Sequence, residues 1–402
     1  PAGALAFHHR WLRTLRNNAA APIEDYSYAI MAARQNRFDF PSANKSAISS
    51  TYSYAYHFDA SLYAAFLRSF AEERGVRRTE GKVKDVELDG ESGNVVSLTL
   101  ESGEVVEGDF FIDCSGFRSI LLGGKLGADW EDWTQWLPCD RAFAVPSERT
   151  GDLTPYTRST ARQAGWQWRI PLQHRTGNGI VYCSQFLEKD AALERLQGNI
   201  EGDTLTQPNF LRFVARARRQ QWVRNCIAVG LSGGSMEPLE STAIHLIQGA
   251  VLRLIRMLPL REISERDIAE FNDQQLTDML QIRDFLILHY KATDRRDSPF
   301  WRQCADMPIP DSLVQKIELF RETGRVFRRN EELFAENSWV QVMMGQGIMP
   351  QAYHPIATKL SDAELTKLLA TIRDNVARTV AGLPDHPAYV ARYCGASSAS
   401  AA

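Results

Sequence analysis

Gly230-Leu-Ser-Gly-Gly-Ser-Met-Glu-Pro-Leu-Glu-Ser-Thr-Ala-Ile-His-Leu-Ile-Gln248 places three glycines between an apolar run and a helical pattern. Upstream, Cys226-Ile-Ala-Val-Gly230 is short and apolar, the pattern of a buried strand. Gly230, Gly233 and Gly234 follow without side chains, which lets backbone come close to a ligand. Pro238 suits a first helical turn, where its missing N–H would have no partner in any case. The spacing therefore predicts a helix over 238–258 with free amides from Leu239 to Ala243. Helix ends of this kind attract anions. One such end stabilises a nearby charge by only about 0.3–1 kcal/mol, so holding an anion against water takes several aimed amides and exclusion of solvent. Glu240 reads two ways: a carboxylate that complements the helix dipole, or a buried acid or base at a cofactor's edge.

Working outward, Phe110-Phe-Ile-Asp-Cys-Ser-Gly-Phe-Arg-Ser119 is a second apolar run ending in small residues, the form of a strand that delivers backbone to a ligand at its carboxyl end. Before it, runs at 82–88, 95–100 and 104–108 alternate and are separated by Gly-containing turns, predicting a three-stranded antiparallel meander. Asp59 caps a helix that carries Leu62, Phe66 and Phe70 on one face and stops at Gly75. Gly165-Trp-Gln-Trp-Arg-Ile-Pro-Leu172 alternates with Trp166, Trp168 and Ile170 on one side, and 181–186 pairs with it across a turn at Gly177-Asn178-Gly179. Trp130, Trp133 and Trp136 read as core. Beyond the junction the period is helical at 238–258, 265–290, 312–321 and 362–380. Residues 383–402 read as a loose tail.

With 402 residues, 44% of them hydrophobic, the chain can bury a large core. A net charge of −3 gives no basic stripe for nucleic acid. The clusters Arg212-Phe-Val-Ala-Arg-Ala-Arg-Arg219 and Arg325-Val-Phe-Arg-Arg329 read as solvated helix faces. No run of apolar residues is long enough to span a membrane and no signal peptide is visible. Six scattered cysteines form no CxxC pair, which argues against a zinc site or disulfide framework and suits the reducing cytoplasm. Phe7, His8, His9 and Trp11 gather rings and imidazoles that suit the wall of an aromatic pocket, or equally ordinary packing.

The segment Trp166-x-Trp168-x-Ile170-Pro171 resembles the WxWxIP signature of flavin-dependent halogenases, and Glu237-Pro-Leu-Glu-Ser-Thr-Ala-Ile-His245 resembles that family's halide turn. Asp113-Cys-Ser-Gly-Phe-Arg118, Arg283-Asp-Phe-Leu-Ile-Leu-His-Tyr290, Ser298-Pro-Phe-Trp301 and residues 338–350 also look like the tryptophan halogenase family. The resemblance implies an α/β (α+β) fold: a flavin-monooxygenase-like FAD-binding core with a β-meander and an antiparallel substrate sheet over 1–258, a helical C-terminal subdomain over 259–382, and a tail over 383–402.

It also implies a reaction. Reduced FAD and oxygen give a flavin hydroperoxide, chloride or bromide attacks it, and hypohalous acid halogenates tryptophan or another electron-rich ring. Glu240 and Ser241 would be the catalytic pair, and Thr242 and Ala243 would bind halide through backbone N–H groups. Gly116, Gly230, Leu231, Gly233 and Met236 would contact FAD. Trp166, Trp168, Ile170 and Pro171 would shield the flavin from substrate. Phe7, His8, His9, Trp11 and Trp339 would wall the substrate, and no metal is implied. A separate flavin reductase is expected as a partner, since no nicotinamide fingerprint is visible, and a homodimer is left open.

The sequence departs from the family twice. No GxGxxG turn for the FAD phosphates occurs in these 402 residues, and the first lysine is Lys45, in a Ser/Asn loop unsuited to replace the family's catalytic lysine. The expectation is an N-terminally truncated member lacking its dinucleotide-binding βαβ unit, roughly a hundred residues, and inactive as it stands. A flavin-dependent aromatic monooxygenase and a non-catalytic aromatic-ligand-binding protein are the alternatives.

Overall fold

The computed structural model describes residues 6–17, 20–258 and 262–395. The expected boundary at 258/259 adjoins residues 259–261, which lie outside the described residues. The first helices among the described residues are α1 (Phe7–Arg16), α2 (Tyr28–Arg34) and α3 (Ala60–Glu72). The Asp59 carboxylate accepts from Ser61 N at 2.9 Å and starts α3 as its composition predicts. Leu62, Phe66, Leu67 and Phe70 of that helix face outward.

The meander follows as β1 (Val83–Leu88), β2 (Val95–Leu100) and β3 (Val105–Glu107), antiparallel in that order. Asn225 ties it to the rest: its Oδ1 accepts from Val95 N at 2.9 Å and its amide donates to Val95 O and Asp109 O. Next comes β4 (Phe111–Asp113), whose Asp113 is buried and accepts from Leu121 N and Leu122 N in the turn beyond it. β5 (Trp130–Asp132) joins a small separate sheet, and β6 (Arg141–Ser147), β7 (Arg158–Arg162), β8 (Gly165–Pro171) and β9 (Thr176–Tyr182) supply four strands of the large one. Then come α4 (Lys189–Gln197), β10 (Asn209–Arg212), β11 (Arg216–Arg218), β12 (Trp222–Val223), β13 (Cys226–Ala228) and β14 (Gly234–Ser235). The five-stranded order is β10-β6-β9-β8-β7, all antiparallel, while β13 pairs in parallel with β4.

Pairing of β8 with β9 corrects one expectation. Gly177, Asn178 and Gly179 lie within β9, and the turn is 172–175, closed by Leu172 N to Arg175 O at 2.8 Å. Gly179 stands opposite Trp168, and a Cβ there would lie 2.0 Å from the indole and 2.5 Å from Phe143 O. The glycine is present because Trp168 covers it, not because the chain bends.

Helices α5 (Ala243–Arg256), α6 (Glu265–Lys291), α7 (Pro299–Asp306), α8 (Asp311–Thr323), α9 (Glu336–Gly345), α10 (Asp362–Ala381) and α11 (His386–Tyr393) complete the fold. All of 282–288 is buried, so α6 is sheathed on every side rather than amphipathic there. One continuous core joins the sheet to the helices: Phe143, Trp166, Ile180 and Tyr182 pack in the same cluster as Phe285, Leu288, Phe300 and Trp339. Trp133 is at its heart, as expected of core, and Trp130 lies under Arg216 and Arg218 at 3.9 and 3.7 Å.

Three further expectations are corrected. The 212–219 cluster forms strands, and Arg218 is buried with its Nε donating to Ser232 O at 3.1 Å; apolar and basic residues alternate there with period two, which is strand periodicity. Residues 325–329 are not helical either, because Gly324 ends α8 at φ 70°. The tail is not loose over 386–393: α11 buries Tyr389 against Phe38, ring centres 4.9 Å apart. No helix among the described residues is long and apolar enough to cross a membrane.

Candidate functional site

The parallel pair of β4 and β13 delivers two backbone turns to one place. Val229 N donates to Asp113 O at 3.0 Å, and the Ser232 hydroxyl donates to Asp113 O and Val229 O. Gly230 has φ 72° and Gly116 φ 70°, so both turns use the left-handed backbone that glycine adopts freely. A Cβ on Gly116 would meet nothing within 4 Å, and one on Gly230 would meet only Ile247 at 3.6 Å, so both turns open onto free space.

After β14 the chain runs Met236-Glu237-Pro238-Leu239-Glu240-Ser241-Thr242 before α5 begins, later than expected. Pro238 does not open the helix. Pro238 O instead accepts from Ser241 N at 3.0 Å, closing a tight turn, and Ser241 takes φ 54°. A serine in that region is costly by about 1 kcal/mol or more, which marks a turn held by its surroundings. The first bond of the helix is Leu246 N to Thr242 O at 3.0 Å, so the amides of Thr242 and Ala243 precede it and remain available to a ligand. Thr242, Ala243, Gly230, Leu231, Met236 and Glu237 all border one cavity of about 70 Å³. That is room for about two waters, enough for a small anion but not for an indole.

Two adjacent residues of α6 hold the two carboxylates of this turn. Tyr290 OH donates to Glu237 Oε2 at 2.6 Å, and His289 Nε2 lies 2.9 Å from Glu240 Oε1. Trp166 Nε1 also donates to Glu237 Oε2, at 2.7 Å, so the WxWxIP strand is fastened to the turn. Glu237 is fully buried, and burial pushes its carboxyl up to about 7 despite the two donors. Burial also raises the Tyr290 hydroxyl and the Cys139 thiol, whose Sγ lies 3.4 Å from that hydroxyl. Glu240 is different: its side chain is 32% exposed. His289 Nδ1 is 2.8 Å from Phe285 O, which only accepts, so Nδ1 carries hydrogen. Nε2 and Glu240 then form a hydrogen bond only by sharing a further proton.

The other expected residues are dispersed. Trp168 is half-buried beside Trp166, ring centres 5.7 Å apart, and Ile170 and Pro171 continue along β8 away from the turn. On α1, His8, His9 and Trp11 are buried: His8 Nε2 meets Gly324 O at 2.6 Å, His9 Nδ1 accepts from His354 N at 3.2 Å, and Trp11 Nε1 donates to Ala21 O at 2.8 Å. Phe7 packs on Tyr26 and Trp339 on Phe285, with Lys316 over the Trp339 ring at 3.9 Å. None of these borders the 70 Å³ cavity. Sequence reasoning missed Glu237, His289 and Tyr290. The signal was present, because His289-Tyr290 closes one of the quoted motifs and Glu237 stands three residues before Glu240.

The residues fit the ring end of a flavin. The amides of Thr242 and Ala243, without a hydrogen-bond partner among the described residues, adjoin open glycine turns, and Leu231, Ile244 and Ile247 expose apolar surface beside them. The donors for its phosphates are not identified among the described residues.

A sequence model of the tryptophan halogenase family matches residues 1–362. Xcc4156, a flavin-dependent halogenase from Xanthomonas campestris, has a structure that superposes with TM-score 0.95 at 48% identity, covering 98% of this chain and 79% of that one. BrvH, a flavin-dependent halogenase from Brevundimonas sp. BAL3, superposes at 0.94 and 43% identity, covering 97% and 80%. The 7-chloro-L-tryptophan 6-halogenase KtzR of Kutzneria sp. is 35% identical over 357 residues, 86% of this chain and 68% of that relative.

Proposed function

Because the chain belongs to the tryptophan halogenase family, we propose that it catalyses FAD-dependent oxidative halogenation of tryptophan or another indole at the Glu237–Ala243 turn. The observation that carries the placement is the grip of Trp166 on Glu237, which joins the WxWxIP strand to the halide turn. When bound, reduced flavin supplies the activation of oxygen that raises halide to the hypohalous level. The chain's own residues do the rest. The Thr242 and Ala243 amides hold the halide at the start of α5, where the helix end favours an anion. Trp166 is fastened to the turn through Glu237, and Trp168 is seated on Gly179 beside it. Glu240 takes the proton that leaves the ring carbon, and His289 orients its carboxylate.

A separate reductase supplies the reduced flavin. All six cysteines are free, which suits the cytoplasm. The test is product mass after incubation of the protein with indole or tryptophan, FAD, a flavin reductase and either chloride, bromide or no halide. The halogenated mass appearing only with halide supports the reading. A hydroxylated product formed without halide would replace it with a flavin-dependent aromatic monooxygenase.

A further inference from the structure

We propose that Glu237 binds halide as a neutral acid, donating its Oε1–H to the anion held by the Thr242 and Ala243 amides, so that halide and proton bind together. The proposal rests on the halide reading of this turn and adds a donor and a pH dependence to it.

Three features of the geometry lead there. First, both hydrogen bonds that reach the carboxyl group, from Trp166 and from Tyr290, end on Oε2. Oε1 is buried and has no hydrogen-bond partner among the described residues. Second, Glu237 borders the same cavity as Thr242 and Ala243, whose other walls include Met236, Leu246, Ile247 and Met279. An ionised Glu237 would set a buried negative charge, with one oxygen unpaired, on the wall of the cavity that is to hold a second anion, and two such charges exclude one another. A protonated Oε1 removes both problems: it adds an O–H donor to a wall that also carries the polar side chains of Gln221, Thr242 and Gln275. Third, the groups around the carboxyl cannot neutralise its charge. Tyr290 and Cys139 face it from α6 and the segment before β6, Cys304 from α7, and all three stay protonated because burial raises them. His289 acts on Glu237 only at a distance, since its Nε2 is engaged with Glu240.

Linkage then requires reciprocity: a proton on Glu237 tightens halide binding, and bound halide holds the proton to higher pH. Retention of the proton matches the rise of this carboxyl to about 7. Trp166 and Tyr290 both use Oε2 as their acceptor, which leaves Oε1, without a partner among the described residues, as the oxygen that carries the hydrogen.

Two measurements on the full chain test this. Infrared difference spectra of wild type minus Glu237→Gln report the carboxylic C=O stretch of Glu237. The band is expected at pH 6 and is lost by pH 8.5, with sodium bromide moving the loss to higher pH and sodium gluconate, too bulky for the cavity, leaving it in place. Calorimetric titration with sodium bromide is expected to weaken by about tenfold or more from pH 6 to pH 8.5 in wild type. In Glu237→Gln, whose amide still donates, binding is retained and flat with pH, while His289→Asn keeps the wild-type slope. No carboxylic band at pH 6, or saturable wild-type binding that is flat with pH, overturns the proposal and leaves the halide turn standing. Absence of saturable bromide binding at every pH, with the band present, removes the halide reading itself.

Discussion

Replacing Glu237 with glutamine should change how stability depends on pH, by an amount the structure sets. In the folded protein this carboxyl titrates at about 7 against an ordinary 4.5, because it is fully buried and the donors from Tyr290 and Trp166 only partly offset desolvation. At about 1.4 kcal/mol per pH unit, that gap is worth about 3 kcal/mol. The sign follows from proton counting. Below pH 4.5 both folded and unfolded chains hold the proton, and the group exerts no pull. As pH rises from 4.5 to 7 the unfolded chain releases its proton while the folded one keeps it, so unfolding is favoured. Above 7 the loss of about 3 kcal/mol is complete. The amide introduced by Glu237→Gln keeps an oxygen for Trp166 and Tyr290 but has nothing to titrate. Urea unfolding of both proteins at pH 5, 6, 7 and 8 therefore should show the variant gaining on wild type as pH rises, with unchanged dependence on urea. All other titrations cancel in the difference. Parallel profiles for the two proteins would refute the buried, proton-holding assignment.

Three more outcomes are expected. Glu240→Gln should fold with wild-type stability, since the side chain is about one third exposed, yet lose about a hundredfold in halogenation rate; unchanged product formation by mass spectrometry would remove Glu240 from the chemistry. Gly179→Ala should destabilise the sheet by about 1–3 kcal/mol and disturb Trp168, because the new Cβ meets both the indole and the fixed Phe143 carbonyl; a urea midpoint within error of wild type would contradict the packing. Asn272→Ala should cost about 3 kcal/mol or more, as it strips buried partners from Gln221 N, Trp222 N and Trp222 O at 2.8–2.9 Å; a near-neutral midpoint would mean water replaces them.

Much of the architecture was legible because local pattern and tertiary structure agree. The meander was visible from alternation between glycine turns, and α6 and α10 from their period, Ser264 and Ser361 capping both. Errors arose where a residue answers to a distant partner. Gly177 and Gly179 look like a turn until Trp168 is seen lying across from Gly179. The 212–219 arginines look solvated until Ser232 O and the Trp130 ring are brought beside Arg218. Pro238 looks like a helix start, but the chain needs one more tight turn to set Glu240 against His289. The structure brings Trp166 and the Glu237–Ala243 turn together, as their shared motifs suggested; Glu237 and Tyr290 lay within quoted motifs, but their burial against one another depends on a contact between β8, the turn and α6 that local pattern does not show. The α1 imidazoles illustrate the converse: chemistry-bearing side chains that the fold engages with backbone at Gly324 and His354.

The most direct test is a crystal of this protein grown in bromide and measured at the bromine absorption edge. A strong anomalous peak in hydrogen-bond contact with the Thr242 and Ala243 amides, beside Glu237, is the expected result. Bromide peaks confined to surface arginines, with that cavity holding only water, would contradict the account.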